Sequence, residues 1–215
     1  MRVCLVTNRR RFGGDDVAMR TQVAVTAAAA ARAGVDLIQV RERDLGDRAL
    51  LDLVSSVLEA VRGTLTSVVV NDRLDVALAA GAHGVHLRAD SLAPAAARRI
   101  APPGFLIGRS VHAEDEARLV EQRGGADYLV FGTVFPSDCK PDRLPAGIDA
   151  LRRVCTAVRL PVLAIGGMTV ERAVDVARAG ASGIAAIGLF IPTSVGAAGM
   201  AQTVGRLRDA FDTRS

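Results

Sequence analysis

The sequence predicts an α/β fold, a parallel, eight-stranded (β/α)8 barrel of the TIM type formed by residues 1–215 as one domain, and three observations predict it. First, four segments repeat one pattern: a helix end, a glycine, one or two small or polar residues, and a short apolar strand. They are ARAGVDLIQV, LAAGAHGVHL, QRGGADYLVF and ARAGASGIAAI, with Gly34, Gly81, Gly125 and Gly180 at intervals of 47, 44 and 55 residues. One βαβ unit takes about 30 residues, so each interval holds two strand and helix pairs. Second, apolar runs bounded by turn residues at 2–6, 68–70, 105–108 and 161–165 supply the strands in between. Third, an open doubly wound sheet would carry a GxGxxG turn after its first strand, whereas VTNRRRFGG follows here. Strict alternation over eight units favours closure into a barrel.

Taken in order, the first strand at 2–6 leads to an Ala-rich helix near 19–33, and the strand of VDLIQV leads to a helix near 47–61. In the latter, Leu50, Leu51, Val54, Val57, Leu58 and Val61 recur at the helical period. Further helical stretches fall near 73–80, 93–101, 113–123, 148–157, 170–179 and 197–211, each after a strand. The glycine before each even strand fits a helix C-cap, where the chain turns through positive φ.

Half of the residues are hydrophobic and 23% are charged, which excludes disorder and fibrous repeats. No run of eighteen apolar residues exists, so a membrane span is not expected, and the first residues do not read as a secretory signal. Cys4, Cys139 and Cys155 are odd in number and widely spaced, which suits reduced thiols in the cytoplasm. The net charge of +4 could attract anions, but the arginines are scattered and only 3% of residues are aromatic, so no nucleic-acid surface is expected. Of the 27 basic residues only Lys140 is a lysine, a point charge in a chain that otherwise chooses the planar guanidinium.

Reacting groups of such barrels sit where strands end at the C-terminal face. Strand two is followed by Gln39, Arg41, Glu42 and Arg43, and alternation puts Gln39, Arg41 and Arg43 on one face. Arg41 and Arg43 point into the mouth or pair at the surface with Glu42 and Asp44. Strand three ends in Asn71, Asp72 and Arg73, where Asp72 is a metal ligand or a helix cap. Strand four carries His86, read as a core histidine, then Arg88 and Asp90. Strand five ends in Ser110 and His112, the better candidate for acid and base work. Strand six opens a loop with Ser137, Cys139 and Lys140, and Cys139 reads as small filler or a testable thiol; Cys4 and Cys155 read as core. Gly166 and Gly167 end strand seven and Gly188 ends strand eight, where backbone N–H groups can approach a phosphate.

The segments QVRERD, VVVNDRLDVALAAGAHGVHL, IGRSVH, GADYLVFGTVFPSDCK, PVLAIGGM and GASGIAAI resemble the thiamine phosphate synthase and TenI superfamily, in order and over nearly the whole chain. The resemblance implies a barrel enzyme acting on a small phosphorylated thiazole in thiamine biosynthesis. Two branches share the scaffold. Synthases join a pyrimidine pyrophosphate to thiazole phosphate with Mg²⁺ and release pyrophosphate; TenI-type tautomerases shift a proton on the carboxylated thiazole phosphate without a metal or other cofactor.

Under the synthase pattern Gln39 and Arg41 contact the pyrimidine, Asn71 and Lys140 the pyrophosphate, and Asp72 and Asp90 hold Mg²⁺. This chain departs from it at Arg43, at Arg88-Ala89 in place of Gly-Gln, at Ser137 to Lys140 and at Gly188. Arg88 blocks or replaces part of the pyrophosphate site. Under the tautomerase pattern His112 shuttles the proton, Gly166, Gly167 and Gly188 hold the phosphate, and Arg41 and Lys140 bind the carboxylate. The motifs place the tautomerase first and the synthase as its alternative, with a non-catalytic thiazole phosphate-binding protein third. Barrels of this kind often associate, so a homo-oligomer is compatible with the sequence.

Overall fold

The computed structural model describes residues 1–137, 144–191 and 197–212. Among the described residues eight strands alternate with eight α-helices: β1 (Arg2–Val6), α1 (Asp16–Arg32), β2 (Leu37–Val40), α2 (Asp47–Ala60), β3 (Ser67–Asn71), α3 (Leu74–Ala79), β4 (Gly84–Leu87), α4 (Pro94–Arg98), β5 (Leu106–Val111), α5 (Glu114–Arg123), β6 (Tyr128–Gly132), α6 (Gly147–Ala157), β7 (Val162–Ile165), α7 (Ala173–Arg178), β8 (Gly183–Ala186) and α8 (Ala197–Asp212). The strands pair in sequence order, all parallel, and β1 pairs with β8 to close the barrel. The expected TIM barrel is the observed fold. No helix among the described residues is long and apolar enough to cross a membrane.

The strands read as continuous apolar runs because both of their faces are buried. Alternate residues split between two environments. Val3, Leu5, Ile38, Val40, Val68 and Val70 pack outward under the helices, whereas Cys4, Val6, Leu37, Val69, Tyr128 and Leu163 fill the interior. The helices present matching stripes, such as Leu50, Leu53, Val54 and Val57 of α2. Burial pushes the Cys4 thiol up to about 12, so it is an un-ionised filler of the interior.

Element boundaries depart from the periodicity where local bonds decide them. Helix α1 starts three residues before the expected position because the Asp15 side chain accepts from Ala18 N (2.8 Å) and caps it there. Strand β5 runs past residue 108 because Arg109, Ser110 and Val111 still pair with Leu129, Val130 and Phe131 of β6. Ser110 is therefore a strand residue at the mouth and not the start of a loop. The four repeat glycines all have positive φ, as expected, but Gly124 and not Gly125 caps α5; a Cβ on Gly125 would strike the backbone of Pro94 and Ala95.

Inside the barrel, Gly108 leaves a gap that its neighbour fills. A Cβ there would collide with the Tyr128 ring and lie 2.5 Å from His86 Nδ1. Gly108→Ala is expected to lower stability by about 1–3 kcal/mol through overpacking, read as a lower urea midpoint; an unchanged midpoint would mean that Tyr128 can move aside.

Candidate active site

The C-terminal strand ends surround a cavity of about 760 Å³. Gln39, Arg41 and Arg43 line it from the β2 end, Asn71 from β3, and Ser110 and His112 from the β5 end. Ser137, Gly166, Gly167 and Gly188 complete the opposite wall. Cys139 and Lys140 lie outside the described residues. The mouth thus gathers ten of the residues singled out in the sequence, from strands that are far apart in the chain.

The cavity floor is polar. Gln39, only 4% exposed, donates from Nε2 to Asn71 Oδ1 (3.0 Å), which fixes both amides across β2 and β3. His86, read from the sequence as a satisfied core residue, is buried but also lines the cavity. Its Nε2 lies 2.9 Å from Ser110 Oγ, and its Nδ1 has no hydrogen-bond partner. Burial depresses its pKa to about 4, so the ring is neutral at physiological pH. His112 places Nδ1 2.6 Å from the carbonyl oxygen of Gly132. A carbonyl only accepts, so Nδ1 carries the proton and Nε2 keeps a lone pair able to take one.

At the end of β7, a Cβ on Gly166 would overlap Thr133, and one on Gly167 would overlap Pro136 O and Phe135 Cβ. These glycines let two loops approach closely and leave backbone at the cavity wall. Arg172 locks the turn by donating to Gly167 O while its guanidinium lies 4.6 Å from the centre of the Phe135 ring. Gly188 has open space where a Cβ would go.

Glu42 and Asp44 are engaged by the chain after β1. Glu42 is buried and accepts from Thr7 Oγ1 (2.6 Å) and the Arg9 backbone N–H (3.0 Å). Asp44 takes the Arg9 guanidinium in two bonds of 2.6 and 2.9 Å, which holds its carboxyl well below the usual carboxylate range. Both acids are thereby consumed in holding the loop after β1. That loop brings Asn8, Arg10 and Arg11 to the cavity, residues that the sequence reading named only within the segment VTNRRRFGG. Their position directly after a strand was the available signal.

Asp72 is not a helix cap: α3 has no side-chain cap bond, and Asp72 itself sits at φ 63°. Neither Asp72 nor Asp90 lines the cavity. Both face Arg88, which does: Arg88 Nε is 2.8 Å from Asp72 Oδ2 and 3.4 Å from Asp90 Oδ1. The buried Nε nevertheless has no hydrogen-bond partner, so its N–H is aimed at neither carboxylate. Among the described residues no group of three or more His, Cys, Asp or Glu converges as a metal site. Two carboxylates that close on one cationic point, with no directional bond required of the occupant, do fit Mg²⁺, which commonly takes one or two carboxylates and completes its shell with water and substrate phosphates.

Residues 3–190 match the family model described as thiamine monophosphate synthase. The chain belongs to this family. It is 38% identical over 191 residues to the thiamine-phosphate synthase of Coprothermobacter proteolyticus, covering 89% of this chain and 87% of that one. It is 44% identical over 163 residues to that of Methanoculleus marisnigri, covering 75% and 77%. The solved thiamine phosphate pyrophosphorylase from Pyrococcus furiosus superposes with a TM-score of 0.79 at 30% identity, covering 99% of this chain and 96% of its own. The protein is an enzyme of thiamine biosynthesis. Its family relatives support the synthase, the alternative in the sequence reading, over the tautomerase that the motifs placed first.

Two measurements test this site. Gly167→Ala is expected to cost about 1–3 kcal/mol through its positive φ and the contact with Pro136, while Gly188→Ser stays within about 0.5 kcal/mol; equal urea midpoints for the two would contradict the packing described. Because the folded His86 pKa lies below its ordinary 6.5, at about 4, its contribution is full above pH 6.5 and is lost as pH falls toward 4. That loss amounts to roughly 3 kcal/mol and should be absent from the urea stability profile of His86→Gln between pH 7 and 4.

Proposed function

We propose that this enzyme is a thiamine-phosphate synthase, joining hydroxymethylpyrimidine pyrophosphate to thiazole phosphate with release of pyrophosphate. The observation that carries the reading is the Asp72 and Asp90 pair closing on Arg88, one cationic group at the edge of a cavity of about 760 Å³. A proton shift on a single ring would have no use for it. Synthase relatives that cover most of the chain support the same reading.

In this reading the Gln39 and Asn71 amides, held rigid by their mutual bond, orient the pyrimidine end together with Arg41. The glycine turn at Gly166 and Gly167, with Gly188 beside it, receives the thiazole phosphate through backbone N–H groups. Arg43, Ser110 and Ser137 contribute polar contacts to the walls. The thiazole nitrogen forms a bond to the pyrimidine's exocyclic carbon as the bond from that carbon to the pyrophosphate oxygen breaks, and the electron pair leaves with pyrophosphate. Asn71, Arg88 and Lys140 meet the departing oxygens, and positive groups fixed where charge develops lower the barrier without reorganising. Mg²⁺ held by Asp72 and Asp90 would supply the remaining neutralisation. The bond exchange moves no proton, so the His112 Nε2 lone pair is not required as a shuttle. A cytoplasmic location belongs to the same reading and is supported by the odd number and wide spacing of Cys4, Cys139 and Cys155.

Purified protein given both substrates and Mg²⁺ should form thiamine phosphate and pyrophosphate in equal amounts. His112→Asn should retain this turnover to within about tenfold, because the 10²–10⁴-fold loss typical of a removed acid–base group applies only where a proton moves. Isomerisation of carboxylated thiazole phosphate with no coupling product, abolished by His112→Asn, would establish the tautomerase instead.

A further inference from the structure

The loop after β4 is held unusually firmly around Arg88. Arg109 donates from Nη1 to the carbonyl oxygens of Ser91 (3.3 Å) and Leu92 (2.8 Å) and from Nη2 to that of Ala89 (2.7 Å), while the Ser91 backbone N–H and hydroxyl both donate to Arg88 O at 3.2 Å. The Asp72 N–H is fixed to His86 O (2.8 Å). With the backbone pinned on both sides, the freedom left at this corner is that of the Arg88 side chain, which is 40% exposed and reaches from the carboxylate pair to the cavity. Its Nε is close to both carboxylates yet bonded to neither. A guanidinium gains most from directed, forked bonds to oxygen, of the kind a diphosphate offers; a spherical divalent cation needs no such direction from Asp72 and Asp90.

We propose that Arg88 is a built-in cation that occupies the Asp72 and Asp90 pair in the free enzyme and competes with the divalent metal for it, so that metal binds well only when a diphosphate takes the Arg88 guanidinium away. Metal and diphosphate then enter as a linked pair, and neither carboxylate is left uncompensated when the site is empty. This rests on the synthase reading, because it presupposes a metal at these carboxylates.

Mn²⁺ serves as a probe whose free form is counted by electron paramagnetic resonance, with no turnover involved. Wild-type protein should bind Mn²⁺ alone weakly and gain at least tenfold in affinity when inorganic pyrophosphate is added. Arg88→Gln, which removes the charge and keeps much of the length, should bind Mn²⁺ alone at least tenfold more tightly than wild type and lose most of the pyrophosphate enhancement. Arg88→Lys should stay near wild type, and Asp72→Asn in the Arg88→Gln background should abolish the gain; thermal melts confirm that each variant is folded. Equal or weaker Mn²⁺ binding by Arg88→Gln overturns the competition while leaving a metal-dependent synthase intact. Absence of Mn²⁺ binding from every protein, with and without pyrophosphate, overturns both.

Discussion

Closure of the sheet through the β1–β8 pairing is the constraint on which the rest of the structure depends. An open sheet would leave two edges to be covered and would spread its strand ends along a line. Once the ends meet, every strand is paired on both sides, and residues that share a face of their strands are brought onto one ring. Gln39, Asn71, His86 and Ser110 lie in four successive strands, and closure makes them the floor of a single vessel. The same closure fills the space beneath them with Cys4, Leu37, Val69 and Leu163, so the floor rests on a dry, close-packed support.

Above the floor, the chain spends its charges in two different ways. Glu42, Asp44 and Asp16 converge on the Arg9 side chain, whose Nε lies 2.9 Å from Asp16 Oδ1 at the start of α1, and Arg10 adds a second cation at Asp44. Removing one member would strand a buried charge, which makes this cluster costly to break whatever its net worth. It is scaffolding. Arg10, whose Nη2 also donates to Asp44 (2.8 Å), and Arg11 on the same short turn line the cavity together with Arg41 and Arg43. These arginines bring positive potential to the mouth, an arrangement suited to anionic groups of a small substrate.

Much of this was legible in the sequence, and the part that was not has physical causes. The repeat of glycine and strand gave the barrel because helix C-caps and doubly buried strands leave strong local signatures. Strand ends then nominated Gln39, Arg41, Asn71, Ser110 and His112 by position alone. His86 was read as core because a residue inside a strand can be buried and still face a cavity, and only the register with Ser110 distinguishes the two. The pairing of Asp44 with Arg9, 35 residues away, has no local signature at all; nearest-neighbour reasoning could offer only Arg41 or Arg43 as one alternative. Motif resemblance points to the tautomerase branch, whereas similarity along most of the chain favours the synthase.

The exchange of volume between Gly108 and Tyr128 gives the barrel interior a pairwise grammar. The ring at 128 exists in the space that position 108 gives up, so the two positions are bound to vary together: a larger residue at 108 becomes admissible only after 128 has shrunk. For anyone reshaping the pocket this is a place where its depth can be altered from below, through a compensated double change that reaches the underside of His86 and leaves the rim as it is.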